Sequence, residues 1–200
     1  MTRGPRSPAD LVSLALNPSL LTGVFFVVLA GRFETTTAAR LMIAATAATF
    51  ATLVPIASLF ALVAAGRLSD VEMRIRQERD VVFGVCLASY ALGALTLVVL
   101  GASWPVWGFM ALHVPNTLVL SLLNRRWKVS IHTTVIAGLG ATAIFFMGWE
   151  AAPALVLLPL AAWGRWAAGA HSPLELAAGA LFGSVTVSLG LALLRLAAGG

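Results

Sequence analysis

The sequence predicts an all-α, polytopic membrane protein, a transmembrane helical bundle of six or seven spans, and three observations carry that prediction. Of 200 residues, 60% are hydrophobic and 10% charged, with a mean hydropathy of +0.94, whereas a soluble domain carries about a quarter charged residues. The apolar residues come in long runs parted by short polar turns, and a helix needs about 20 of them to cross the hydrocarbon core. The six tryptophans sit near the ends of those runs, where an amphipathic ring is half wet.

Along the chain, Ser7-Pro8-Ala9-Asp10 reads as a helix start, with Ser as N-cap, Pro at the first helical position and Asp three residues on. The piece that follows, Leu11 to Leu16, is short and ends at Asn17-Pro18, so residues 1–17 read as an N-terminal interfacial segment. A first span runs from Pro18 to Ala30, and Arg32 to Arg40 forms a polar turn. The second span, Leu41 to Ala65, contains Pro55, which predicts a kink. Gly66 stops it, and Ser69 with Glu72 reads as a second capping box that starts a helix well ahead of its apolar part, Val81 to Gly101. Ser103-Trp104-Pro105 turns the chain into a fourth span ending near Leu123, followed by a basic loop, Asn124 to Ser130. Two shorter runs, Thr133 to Gly148 and Ala151 to Trp163, break at Trp149-Glu150. Ser172-Pro173-Leu174-Glu175 opens a last span to Leu194. One membrane domain thus occupies residues 18–197.

Lys and Arg outnumber Asp and Glu by 13 to 8, for a net charge of +5. In a soluble protein that balance suggests nucleic acid. Here the cations lie between apolar runs, which points to anionic headgroups or an anionic substrate and away from nucleic acid. The single cysteine, Cys86, excludes a disulfide framework or a cysteine-based metal site within the chain. The N-terminus lacks the pattern of a cleaved signal peptide.

Counting crossings sharpens the picture. Two spans separate the Arg74–Asp80 segment from the Arg125–His132 segment, and two more separate that loop from Arg165–Glu175. An even number of crossings returns the chain to the same side, so all three segments share a face. Each has a bland reading. In the first, helical spacing puts Glu72, Arg76 and Arg79 on one stripe, which suits a solvated helix end laced by ion pairs. The second suits an ordinary basic loop. In the third, Ser172 and Glu175 suit a helix cap, but capping leaves Arg165 and His171 unexplained.

Taken together, two histidines, several cations and a carboxylate beside a helix N-terminus make one chemical unit. Guanidinium groups grip phosphate oxygens through a fixed fork of donors, and a helix N-terminus adds N–H groups and positive potential. One histidine can attack phosphorus while the other protonates the leaving oxygen. A carboxylate on the nucleophile's second ring nitrogen fixes its tautomer. Arginines can carry the developing charge, so no metal or cofactor is expected.

At these residues the chain resembles the type 2 phosphatidic acid phosphatase (PAP2) superfamily, whose three motifs are K-x6-R-P, P-S-G-H and S-R-x5-H-x3-D. The third matches as Gly164-Arg165-x5-His171-x3-Glu175, with Gly for Ser and Glu for Asp. The second matches as Val129-Ser130-Ile131-His132, which keeps Ser-x-His and loses Pro and Gly. In the first, Arg79 takes the arginine position, Asp80 replaces Pro and Glu72 stands where Lys would be. The motifs cover about a quarter of the chain, and their order on one face carries the resemblance.

The resemblance implies a PAP2-like bundle with His171 as nucleophile, held by Glu175 and forming a phosphohistidine. It implies His132 as general acid, and Arg79, Ser130 and Arg165 as phosphate ligands. Arg76 or Lys128 would replace the missing lysine, on position and charge alone. The expected activity is metal-independent hydrolysis of a lipid phosphate drawn from the bilayer, such as an isoprenoid mono- or diphosphate, phosphatidic acid or phosphatidylglycerol phosphate. Transfer of the phosphoryl group to another alcohol is the alternative at the same site. A small transporter is the alternative of another class, with His113 and Asn116 around Pro115 as its polar residues. All but three of the Lys and Arg residues (Arg32, Arg40, Arg195) fall on the motif face, which the positive-inside rule makes cytoplasmic.

Overall fold

The computed structural model describes residues 7–71 and 75–197, and among them the regular structure is helical throughout. Six stretches are long and apolar enough to cross a membrane: Pro8–Phe33, Thr37–Ala64, Arg76–Val99, Trp104–Asn124, Ile131–Ala167 and Pro173–Ala197. The all-α, polytopic architecture predicted from composition is the one the chain adopts. The helices are α1 (Pro8–Ala15), α2 (Pro18–Phe33), α3 (Thr37–Ala48), α4 (Val54–Ala64), α5 (Arg79–Val99), α6 (Trp104–Asn124), α7 (Ile131–Met147), α8 (Leu157–Ala167) and α9 (Pro173–Ala197). They fall into two compact units, one of Met1–Leu21 with Val129–Leu189, the other of Thr22–Lys128 with Gly190–Gly200.

The second unit contains the joint that Pro55 creates. Between α3 and α4 the helix widens to a π-turn, Thr49–Leu53, in which the Val54 N–H reaches back to the Thr49 carbonyl. Proline has no N–H and its ring crowds the preceding turn, so the chain takes up an extra residue there rather than a sharp kink. The shift removes the normal partner of the Phe50 carbonyl, because Val54 is engaged elsewhere and residue 55 cannot donate. Ser89 Oγ of α5 donates to that carbonyl at 2.6 Å, and Ser89 is itself buried. One turn on, Gly93 lets α5 come close: a Cβ there would stand 2.6 Å from Phe50 Cβ.

At the end of this unit where α5 turns into α6, Glu34 is buried and accepts from Ser103 N at 2.9 Å and Ser103 Oγ at 2.7 Å. The Arg40 Nε–H donates to the Glu34 carbonyl at 2.8 Å. The expected polar turn Arg32–Arg40 therefore shortens. α2 continues through Phe33, and α3 starts at Thr37 with Thr36 Oγ1 accepting from Ala39 N at 3.1 Å. His113 of α6 stacks against Tyr90 and Phe109, with ring centroids 5.0 and 4.7 Å away, and its Nδ1 donates to the Phe109 carbonyl at 2.8 Å. Its Nδ1 is thus satisfied within α6.

The helix expected to begin at Ser69 begins later. Ile75 is extended, a 3-10 turn covers Arg76–Glu78 and α5 starts at Arg79. Ser69 is held by Glu78, whose Oε2 accepts from Ser69 N at 3.0 Å and Ser69 Oγ at 2.8 Å. The proposed partner Glu72, with Arg74, lies outside the described residues. The expected helical stripe through Glu72, Arg76 and Arg79 therefore falls in part outside the described residues, and Arg76 lies in the 3-10 turn while Arg79 opens α5.

In the first unit, α7 packs against both the 3-10 stretch Gly148–Val156 and α8. Gly148, at φ 76°, supplies the left-handed residue that ends α7 and starts the return. α9 lies against the start of α7 through Gly179 and Gly183, a pair four apart. A Cβ on Gly179 would stand 2.6 Å from the Ser130 carbonyl, and one on Gly183 would collide with the Thr134 carbonyl. Small residues at this spacing let two helix backbones touch. α1 packs on α8, where Gly164 faces Val12, Ser13 and the Ala9 carbonyl. Leu16, Ile136 and Ala161 form the buried centre. The Ser7 and Asp10 capping box stands as read from the sequence.

Two outcomes follow. Ser89→Ala lowers stability by about 1–3 kcal/mol through the orphaned Phe50 carbonyl, and it costs at least about 1 kcal/mol less in a Pro55→Ala background, where residue 55 regains a donor. Unfolding of the four chains in detergent checks this, and equal costs in both backgrounds contradict the joint. Gly183→Val parts α7 from α9 and lowers the thermal midpoint, whereas Gly84→Val, at a glycine with open space around it, leaves it nearly unchanged.

Candidate active site

The corner between α8 and α9 explains the spacing of Arg165, His171 and Glu175. Arg165 lies in the last turn of α8, and Gly169, at φ 66°, ends it. The Arg165 carbonyl then accepts from Ala170 N at 3.0 Å and His171 N at 3.3 Å. This is how a helix end closes on a left-handed residue. The chain reverses within five residues, and Ser172 follows at once as the cap of α9. The side chains of Arg165 and His171 are both buried, the first 4% exposed, which takes the guanidinium almost wholly out of water.

His171 Nδ1 lies 3.1 Å from Glu175 Oε2. A carboxylate accepts, so Nδ1 carries a proton, which in the neutral ring leaves the lone pair on Nε2. The same Oε2 accepts from Ser172 N at 3.0 Å, and Ser172 Oγ accepts from Glu175 N at 3.4 Å. The capping box read from the sequence is therefore present, and the same carboxylate meets the imidazole. Capping fixes the carboxylate that fixes the imidazole.

The second motif segment abuts this corner. Ser130 N donates to the Glu175 carbonyl at 3.3 Å, and Thr133 Oγ1 donates to the Leu176 carbonyl at 2.9 Å. Ser130 is fully buried and caps α7, its Oγ accepting from Thr133 N at 3.4 Å. The His132 ring turns toward α1, with Nε2 donating to the Ser13 carbonyl at 3.3 Å. The structure thus gathers the backbones carrying Ser130, His132, His171 and Glu175, with Arg165 at the same corner. It holds His132 Nε2 on the Ser13 carbonyl of α1. α1 enters as a wall of this site, a contact that no residue pattern in Pro8–Ala15 foretells. Ser13 is buried there, its Oγ making no hydrogen bond among the described residues.

The first motif segment lies in the other unit and is described by itself. Arg79 opens α5 and is 3% exposed, and its Nη1 lies 3.4 Å from Asn124 Oδ1. Asn124 Nδ2 in turn donates to the Arg76 carbonyl at 3.1 Å. Asn124 is a buried amide at the end of α6 that ties the starts of two segments together. A polar residue closing an apolar span was its only sequence signal. Arg76 is half-buried in the 3-10 turn, and Lys128 is half-buried in the loop before Val129.

The corner of Arg165, His171 and Glu175, taken by itself, can bind a tetrahedral anion, attack it with a tautomer-fixed imidazole and neutralise charge with a buried guanidinium. Among the described residues no group of three or more His, Cys, Asp or Glu side chains is placed to hold a metal ion. Comparison with family models, curated proteins and solved structures gives no match to this chain.

Proposed function

We propose that the protein is a lipid phosphate phosphatase that works through a phosphohistidine at His171. The observation that carries this reading is the His171 Nδ1–Glu175 Oε2 bond, made by the residue that also caps α9, with Arg165 buried at the same corner. Six helices long and apolar enough to cross a membrane suit a substrate that arrives sideways from the bilayer. The likeness to the PAP2 superfamily enters here as support from residue pattern, and it supplies the role for Arg79, which Asn124 orients.

The chemistry runs in two displacements. His171 Nε2 attacks phosphorus, an N–P bond forms and the P–O bond to the lipid alcohol or phosphate breaks. His132, protonated, gives the leaving oxygen its proton. Water then attacks phosphorus, the N–P bond breaks and the water's proton passes to His132. Arg165 and Ser130 hold the equatorial oxygens, where charge builds up. Glu175 keeps the imidazole in one tautomer and stabilises the charged ring. An alcohol in place of water would make the same site a phosphotransferase. The motif-bearing face is assigned to the cytoplasm, on its share of Lys and Arg.

The test is phosphate release from a panel of lipid phosphates in detergent. His171→Ala abolishes release, by about 10^3-fold or more. Glu175→Gln keeps an acceptor for the cap and lowers kcat about 10- to 100-fold with KM little changed. His132→Ala lowers kcat by about 10^2-fold or more on alkyl phosphates. On an aryl phosphate, whose leaving group needs no proton, the loss in kcat/KM, which reports the first displacement, is far smaller. Release that is indifferent to both histidines sinks the mechanism. Solute flux in proteoliposomes without phosphate release favours transport.

A further inference from the structure

Beside the candidate site, within the same unit, an apolar groove of about 570 Å³ runs between α8 and α9. Trp163, Trp166 and Leu158 form one wall and Pro173, Leu176 and Ala177 the other. Apart from the Thr133 hydroxyl and the indole N–H groups of Trp163 and Trp166, the side chains that line it are hydrocarbon. A space of this size is in the range that holds a small ligand.

We infer that this groove takes one hydrocarbon chain of a lipid phosphate whose headgroup lies at His171. The inference rests on the proposed phosphatase site and names the part of the substrate next to the phosphate. Its ground is continuity. The lining includes Pro173, two residues beyond His171, and Thr133, next to His132. Leu176, on its wall, follows Glu175 and is tied to Thr133 by the 2.9 Å bond that joins α7 to α9. From Pro173 the lining continues along α9 to Ala180, about 10 Å of helix, directed away from the charged corner. An amphiphile has that shape: a phosphate at one end and a chain leading inward.

The walls match such a chain. On α8, Leu158, Ala162, Trp163 and Trp166 share the groove face. Trp163 and Trp166 are exposed, as aromatic rings at the interfacial end of a membrane helix commonly are. Two helices border a slot for one chain, so a second acyl chain would stay in the bilayer. Single-chain isoprenoid and diacyl phosphates then differ at the glycerol, where the second chain must bend out of the slot.

The experiment fills the groove and follows two readouts in the same proteoliposomes. Ala177→Phe places a ring in the slot from an exposed position, and Leu181→Phe adds the same ring to an exposed site outside it. One readout is kcat/KM for a long-chain isoprenyl phosphate and for a water-soluble phosphate monoester. The other is photolabelling by an isoprenyl phosphate with a diazirine near its phosphate, compared with the matching alcohol. The expected results are a loss of about tenfold or more on the long-chain substrate in Ala177→Phe, and little change on the soluble one or in Leu181→Phe. The phosphate probe labels the segments 157–166 and 173–180, unlabelled isoprenyl phosphate competes, and Ala177→Phe removes the label. Equal labelling by the alcohol, no competition, or labelling indifferent to Ala177→Phe overturns the groove. Competed labelling without phosphate release from any substrate overturns the phosphatase reading and leaves the groove standing.

Discussion

In an apolar surround every peptide N–H and C=O must find a partner within the protein, because no water is there to substitute. That constraint explains more of this chain than hydrophobicity does. It makes the regular structure helical, and it sets what happens wherever a helix is interrupted. At Pro55 the interruption strands the Phe50 carbonyl, and Ser89 supplies the missing donor from α5. At the end of α8 the Arg165 carbonyl collects the N–H groups of Ala170 and His171. At the start of α9 the Ser172 N–H finds Glu175.

The candidate site grows from two of those repairs. Closing α8 on Gly169 delivers His171 beside Arg165, and capping α9 with Glu175 sets a carboxylate against the imidazole. The local structure that a membrane helix needs at its ends is therefore also what brings Arg165, His171 and Glu175 together. One oxygen of Glu175 both caps α9 and meets the imidazole, so the cap and the proposed orienting role do not exclude each other. The helix pair α7–α9 completes the corner, because glycines at 179 and 183 let the Ser130–Thr134 turn approach Glu175 and Leu176.

Much of this was legible in the sequence. Apolar runs, capping signatures at Ser7 and Ser172 and the breaks at Gly66 and Trp149-Glu150 locate most of the helices. The spacing of Arg165, His171 and Glu175 identifies the corner. What was hidden depends on contacts between residues distant in sequence. Ser69 looked like the cap of a helix with Glu72 as its partner, yet Glu78, nine residues on, holds it. Asn124 gave no sign of bonding back across α5 and α6 to Arg76 and Arg79. Ser13 lay in a segment read as interfacial, and its carbonyl takes the His132 ring. Pro55 predicted a disturbance, but whether a kink or a π-turn results depends on the neighbour that can satisfy the freed carbonyl.

The central claim is that His171 carries the phosphoryl group, and the most direct measurement is to trap it. Protein mixed with a radiolabelled lipid phosphate is quenched in alkali within a turnover, digested and sequenced by mass spectrometry. The account predicts a base-stable, acid-labile phosphoryl group on the peptide containing His171, reduced when Glu175 is changed to Gln and absent in His171→Ala. Rapid phosphate release with no such intermediate, or with label on another residue, would contradict it.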